Sequence, residues 1–263
     1  MALKQHTDHK VRFDQQVDNS LSYVMPFIEQ TKPITKGMNV LEVGTGEGGV
    51  LKPFADKGAF CVGVDLNEDR IVLANEFLEE YVTAGKIEFL FENIYDAPFV
   101  KRFTGFFDVI MLKDVIEHVP EQEKFIAHLI TFLKPGGQIF FGFPPWYMPF
   151  GGHQQVCRTK WASKIPYYHI LPTFIYKPLL KMAGEHPFVI RELLEIKDTQ
   201  ITIERFERIV KKCGLKILKK EHYLINPIYK YKFGLKPRVQ FAPITWIPFF
   251  RNFLTTCVYY TVG

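Results

Sequence analysis

The sequence predicts an α/β fold in which a parallel sheet is covered by helices on both faces. Three observations predict it. Strand-length apolar runs alternate with helix-patterned segments between residues 36 and 143. The runs, such as MNVLEV and AFCVGVD, are apolar at nearly every position, as strands buried on both faces must be. A glycine-rich stretch, VLEVGTGEGGVL at 40–51, joins the first run to the first helix of the alternation. Such a loop lets a ligand approach the backbone closely at a helix N-terminus.

Residues 1–35 read as helical, with Val17, Leu21, Val24, Phe27 and Ile28 at helix spacing, and Pro33 and Gly37 ending the region. MNVLEVG is the first strand, and GVLKPFADKG a helix closed by Gly58. AFCVGVDL is the second strand. NEDRIVLANEFLEEYVTAG is one helix, with Asn67 as N-cap and Gly85 as its stop. KIEFLFENI and FFDVIMLKDV are the third and fourth strands. EQEKFIAHLITFLKPGG is a helix ending in a turn, and QIFFGFPP the fifth strand. From Pro144 the rhythm breaks into a segment rich in proline and aromatics, read as an insertion or cap over 144–199 with short helices. It returns in TIERFERIVKKCGLKILKKEHYLI, a helix, a glycine stop and a strand, and the last strand is FLTTCVYYTV. The expected organisation is a single domain over 1–263: an N-terminal helical segment at 1–35, a core at 36–143, the cap, and the rest of the sheet at 200–263.

The chain has 263 residues, 47% hydrophobic, enough for a sizeable core. Charged residues at 23% exclude a disordered composition. The net charge of +5 is spread, with modest enrichment from Lys211 to Lys236, and reads as a solvated face rather than a nucleic-acid track. The four cysteines, Cys61, Cys157, Cys213 and Cys257, form no C-x-x-C pair and read as reduced thiols of a cytoplasmic protein. The opening MALKQHTDHKVRF has no apolar core of a signal peptide. No run reaches the ~18 apolar residues of a spanning helix; the tail from Phe241 to Val262 is interrupted by Pro243, Pro248, Arg251 and Asn252.

The loop spells two motifs at once. Gly44, Gly46 and Gly49 give the G-x-G-x-x-G of dinucleotide binding, and Gly44, Gly46 and Gly48 give G-x-G-x-G. Glu42, at the end of the first strand, would repel a pyrophosphate and suits a cationic or ammonium-bearing ligand. Asp65 ends the second strand, where an acid accepts ribose hydroxyls. That ribose is common to NAD and S-adenosylmethionine, so Asp65 does not separate them.

Together with FDVIMLKDVIEHV at 107–119 and LKPGGQIFF at 133–141, these features make the sequence resemble the class I S-adenosylmethionine-dependent methyltransferases. The likeness is to the small-molecule group related to ubiquinone-biosynthesis methyltransferases, and it covers roughly 36–143 and 200–225. It implies a Rossmann-like, seven-stranded, mostly parallel sheet whose last strand is antiparallel. It also implies S-adenosyl-L-methionine as cofactor. Gly44, Thr45 and Gly46, with Gly48 in the same loop, would line the methionine portion, and Glu42 would orient that end. Asp65 would grip the ribose, with Leu66 against the adenine. Asn93 falls where the family commonly has an Asp that accepts the adenine amino hydrogen; its carbonyl can still accept, without the charge. Ile94 would offer a backbone N–H beside it, and Leu112 and Lys113 would meet the methionine ammonium end. Lys113 is unusual at that position.

Methyl transfer from a sulfonium is an in-line displacement, so the protein mainly aligns the acceptor and excludes water. A hydroxyl or acid acceptor also needs a base. His153 in FGGHQQ is the candidate base, against an equal reading as a loop histidine that ties down the cap. His118, Trp146, Tyr147 and Gln154 are candidates for the acceptor pocket, each with a structural alternative. Pro144-Pro145-Trp146-Tyr147 mimics the N/D-P-P-Y motif of nucleobase methylases, but it follows strand five and is preceded by Phe143, which argues against base methylation. No His, Cys and Asp spacing predicts a metal. The aromatic segments read as a cap on the sheet edge, also suited to a homodimer contact, or as an acceptor pocket or peripheral membrane surface that collects a lipid-like substrate. The expected function is methyl transfer to a small or lipid-like acceptor, with no nucleic-acid partner. The alternatives are an NAD(P)-dependent oxidoreductase using the literal G-x-G-x-x-G, or an S-adenosylmethionine-binding protein without catalysis.

Overall fold

A computed structural model describes residues 8–263; most of the polar opening stretch read above lies outside the described residues. The sheet has eight strands in the order β3-β2-β1-β4-β5-β8-β6-β7. The first five are β1 (Asn39–Val43), β2 (Phe60–Asp65), β3 (Ile87–Phe91), β4 (Phe107–Lys113) and β5 (Leu133–Phe143). They are mutually parallel and nearly all their central side chains are buried, which is why they read as unbroken apolar runs. After them come β6 (Ile217–Ile225), β7 (Arg238–Val239) and β8 (Cys257–Val262). β8 inserts between β5 and β6, antiparallel to both, as the resemblance implies. The extra strand is β7, two exposed residues on the edge of β6. It follows Pro237, which has no N–H to extend the ladder.

Helices cover both faces. One apolar layer holds Phe99, Phe103, Ile126, Leu129, Phe206 and Val210 against the sheet, and the other holds Phe13, Val24, Phe27, Phe54 and Ala74. The N-terminal region is helical as expected: α1 (His9–Asn19) runs through a π-turn at Ser20–Val24 into α2 (Met25–Glu29). Val24, Phe27 and Ile28 are buried, but Leu21 is 54% exposed. The wider π-turn shifts the phase of the helix and turns Leu21 outward.

Four further boundaries differ from the sequence reading. The helix expected over 67–85 breaks at the buried Leu78 into α4 (Glu68–Phe77) and α5 (Glu79–Thr83), beyond α3 (Lys52–Asp56); Asn67 does cap it, accepting from Arg70 N–H at 3.1 Å. A helix not predicted at all, α6 (Ala97–Phe103), carries Pro98 in its first turn. α7 ends at Ile130 (Gln122–Ile130), and LKPGG belongs to β5 as a wide bulge: Phe107 pairs with Leu133, then Val109 with Gln138. The last strand starts at Cys257, because Arg251–Leu254 forms a helical turn whose Arg251 binds Glu204 at 2.8 Å and Glu207 at 2.9 Å.

The segment after β5 carries α8 (Lys160–Lys164), α9 (Thr173–Met182) and α10 (Pro187–Thr199), with its own small core of Tyr168, Tyr176, Leu180, Ile190 and Leu193. α11 (Ile203–Lys212) returns to the sheet, and α12 (Tyr229–Phe233), α13 (Ala242–Thr245) and α14 (Arg251–Leu254) lie between β6 and β8. All four cysteines are unpaired, three of them buried. Among the described residues no helix is long and apolar enough to cross a membrane.

Candidate active site

One cavity of about 1100 Å³ opens over the C-terminal ends of β1, β2 and β4. That is where a doubly wound sheet offers a crevice. Its volume slightly exceeds the roughly 300–1,000 Å³ of a site for one small molecule. α1 lines the cavity with Arg12, Gln15 and Gln16, and α12 with Tyr229 and Lys232.

At one end lies the glycine loop. Gly44 has φ +72°, and a Cβ there would stand 2.6 Å from Val115 Cγ2, so only glycine fits. Gly44, Thr45 and Gly46 line the cavity. Gly48 does not; a Cβ on it would meet Phe89 Cζ at 2.5 Å, so it packs the back of the loop onto β3. Glu47, inside the loop, is fully buried and held by α1 through His9 Nδ1 at 2.9 Å and Arg12 Nε at 3.2 Å. Gly49 N–H donates to Gln16 Oε1 at 3.2 Å. The N-terminal helix therefore straps the glycine loop and delivers Arg12 to the cavity. The sequence reading missed this role because it followed only the apolar stripe of that helix; Arg12, Gln15 and Gln16 on its polar side were the available signal.

Glu42 lies beneath the loop, 2% exposed, accepting from Thr45 Oγ1 at 2.9 Å. Burial pushes its carboxyl up to about 8, although Thr45 and then Lys113 favour the charge. A cation placed beside it would draw that proton off. Asp65 accepts Gly46 N–H at 2.8 Å on one oxygen and Asn67 N–H at 3.0 Å on the other. It thus sets the loop, and each oxygen keeps a lone pair for the cavity. Leu66 lines the cavity and is 69% exposed. The Asn93 side-chain oxygen accepts Tyr95 N–H at 3.1 Å, while His128 Nε2 meets the Ile94 carbonyl at 2.9 Å. These contacts fix the 93–95 turn along the cavity edge. A glycine cradle, a buried carboxyl able to balance a cation and an acid at the tip of β2 fit the charge pattern of S-adenosylmethionine.

The other end gathers titratable groups. Lys113 Nζ donates to Asp114 at 2.5 Å, and Asp114 outweighs burial to hold the Lys113 pKa above its ordinary value. Asp114 and His153 are both non-glycine residues in the left-handed region, at φ 56° and 55°. His153 Nε2 stands 3.8 Å from Glu117 Oε1, and the His118 and His153 rings are 5.0 Å apart. Donor atoms of Glu117, His118 and His153 all lie within 4.8 Å of one another. Among the described residues both Glu117 oxygens are buried without a hydrogen-bond partner. Burial, then the Asp114 charge, pushes the Glu117 pKa well above the carboxylate range. Burial pushes His153 down to about 3 and His118 below its ordinary value. Burial thus drives the basicities of Glu117 and His153 in opposite directions. No sequence spacing foretells this cluster, because His153 arrives from the far side of β5.

Of the remaining candidates, His118 and Lys113 line the cavity. Leu112 is fully buried in the core beneath it. Trp146 is buried against His169, ring centroids 4.7 Å apart. Tyr147 stacks on Phe253 at 5.1 Å. Gln154 is fully buried, with Nε2 3.0 Å from the Pro149 carbonyl and 3.1 Å from His169 Nδ1. None of these four reaches the cavity; Gln155, Met148 and Val156 line it instead. One-residue alternation after β5 decides between Gln154 and Gln155, and sequence does not show its phase.

A family model for a methyltransferase domain matches residues 13–171, more than half of the chain. The ubiquinone biosynthesis O-methyltransferase of Coxiella burnetii is 32% identical over 117 residues, 44% of this chain and 47% of that protein. Its counterpart in Ralstonia nicotianae is 31% identical over 118 residues, again 44% and 47%. The chain spans about half the length of the curated relatives it matches. Geranyl diphosphate C-methyltransferase from Streptomyces coelicolor, solved with Mg2+, geranyl diphosphate and S-adenosyl-L-homocysteine, has a TM-score of 0.56 at 14% identity, over 90% of this chain and 76% of that one. Magnesium protoporphyrin IX methyltransferase from Synechocystis, solved with S-adenosylhomocysteine, has a TM-score of 0.53 at 15% identity, over 95% and 82%. At these identities the structural likeness shows the fold. Family match, fold and glycine cradle agree: this chain belongs to the class I S-adenosylmethionine-dependent methyltransferases.

Proposed function

We propose that the protein transfers a methyl group from S-adenosylmethionine to a small, partly apolar acceptor, with Glu117 and His153 handling the acceptor's proton. The observation that carries this reading is the buried Glu117 carboxylate without a partner at the far end of the same cavity as the glycine loop. Asp65 and the Gly44–Gly46 backbone would hold the ribose and methionine portions, Glu42 the cationic end, and Asn93 and Ile94 the adenine edge. The cofactor supplies an already activated methyl group. The chain's own work is to position the acceptor in line, exclude water and accept a proton. Glu117, made more basic by burial, accepts that proton in its ionised form, so turnover is expected to rise with pH; neutral His153 orients the acceptor beside it. Trp146, Tyr147 and Gln154 then act by building the cap rather than by touching the acceptor.

A second reading is favoured by the donor separations within 4.8 Å: Glu117, His118 and His153 would hold a divalent ion against an acceptor oxygen. A lipid-like acceptor and a peripheral membrane contact rest on exposed Phe241, Trp246, Ile247, Phe249 and Phe250. The same stretch exposes Lys230, Lys236 and Arg238 and contains no acid between 228 and 253, as a surface for an anionic bilayer would. The dinucleotide alternative has only its glycine spacing in support.

The test is transfer of radiolabel from methyl-labelled S-adenosylmethionine, with and without anionic vesicles, to small molecules of a cell extract. Label in an organic-extractable small molecule is expected. Label confined to RNA or protein would overturn the acceptor class.

A further inference from the structure

One cation on the wall of the cavity has no ion-pair partner among the described residues. Lys113 is neutralised by Asp114 at 2.5 Å and Arg12 by Glu47 at 3.2 Å. Lys232 also lines the cavity, and among the described residues it forms no ion pair. The charged groups that act on it are Asp114, already taken by Lys113, and the cations Lys113 and Arg12. With Lys113 and Asp114 paired to each other, Lys232 is left without an ion-pair partner among the described residues.

The position of Lys232 is built. Asn226 N–H donates to Thr256 Oγ1 at 2.9 Å, and Ile228 N–H donates to Asn226 Oδ1 at 3.1 Å. The first bond ties the turn before α12 to Thr256, just ahead of β8, and the second closes that turn. Tyr229, Lys232 and Phe233, at i, i+3 and i+4, then share one face, and all three line the cavity. Met148, Val156, Ile228 and Phe233 give the same cavity apolar lining. Even a half-buried ammonium is costly without a counter-charge. Among the described residues no acid is paired with it, so a ligand is the available counter-charge.

We infer that the methyl acceptor carries an oxyanion, a carboxylate or a phosphate, which Lys232 binds with Tyr229 beside it, while the acceptor's apolar body lies along Met148, Val156, Ile228 and Phe233. The inference rests on the methyltransferase reading and adds the acceptor's charge class to it. It makes Lys232 a binding residue for the acceptor and leaves it no part in holding the cofactor.

The probes are decanoate and decyl phosphate, with decanol and decyltrimethylammonium as neutral and cationic matches, all below micelle formation. Each is titrated calorimetrically into the full-length protein saturated with S-adenosylhomocysteine. At least one anionic probe is expected to bind ten times or more tightly than both matches. The preference between decanoate and decyl phosphate reports which oxyanion the site takes. Lys232→Gln is expected to weaken the anionic probe at least tenfold, Lys232→Arg to restore most of it, and S-adenosylhomocysteine affinity and melting temperature to hold in both. Equal binding of neutral and anionic probes, no binding of either anionic probe, or an unchanged affinity in Lys232→Gln overturns the inference. So does loss of S-adenosylhomocysteine affinity in Lys232→Gln, which would give the lysine to the cofactor. Failure of the wild-type protein to bind S-adenosylhomocysteine at all is a separate result, and strikes the methyltransferase reading itself.

Discussion

Asp65→Ala is expected to weaken S-adenosylhomocysteine binding by about a hundredfold. Hydrogen bonds to a charged group contribute about 1.5–3 kcal/mol each, and about 1.4 kcal/mol is a factor of ten. The variant loses the bonds Asp65 offers the ribose. It also releases Gly46 N–H and Asn67 N–H, which the carboxylate holds at 2.8 and 3.0 Å. The second loss loosens the cradle as well as the contact, so the effect exceeds that of one ribose bond. Asp65→Asn keeps the shape and drops the charge, and is expected to fall between. Calorimetric titration of the three proteins checks this; unchanged affinity in Asp65→Ala would remove the residue from the cofactor site.

Glu117→Gln is expected to lower kcat by about 10²–10⁴-fold, the usual worth of a positioned acid or base, with S-adenosylhomocysteine affinity unchanged. His153→Ala is expected to lower it less, since its nitrogen, pushed down to about 3, orients rather than takes the proton. Stability gives an independent readout. The folded chain keeps Glu117 protonated to higher pH than the unfolded chain, so the fold binds the extra proton, and stability falls as pH rises above about 4.5. Glu117→Gln carries no such loss and is expected to melt higher than wild type at pH 8. A merely structural role would lower both activity and melting temperature. Wild-type activity abolished by a chelator and restored by Mg2+ would instead give Glu117, His118 and His153 to a metal ion.

The core of the fold was legible because five parallel strands buried on both faces leave no polar alternation, and the text from Val40 to Leu51 ties strand to loop to helix. The boundaries were less so. A π-turn at Ser20–Val24 changes the phase of a helix without any marker in composition, and β5 absorbs LKPGG as a bulge although proline and glycines read as a turn. At the site, residues set by local backbone, such as Glu42, Gly44 and Asp65, fall on the cavity as their positions at strand ends suggest. Residues that depend on tertiary approach did not announce themselves. Arg12 comes from the N-terminal helix, Lys232 from a five-residue helix in an aromatic stretch, and the meeting of Glu117 with His153 requires the left-handed turn that follows β5. Trp146 and Gln154 illustrate the converse: polar and aromatic types near the mouth that the cap uses for its own packing.

The most direct measurement is calorimetric titration of the purified protein with S-adenosylmethionine, S-adenosylhomocysteine and NADH at pH 7, repeated in buffers of different ionisation enthalpy. Micromolar binding of the two sulfur compounds and none of NADH is expected. So is release of close to one proton, because Glu42, pushed up to about 8, must ionise to meet the bound cation. The proton release is expected to vanish in Glu42→Gln. Binding of NADH without either sulfur compound would contradict the account and return the glycine loop to a dinucleotide.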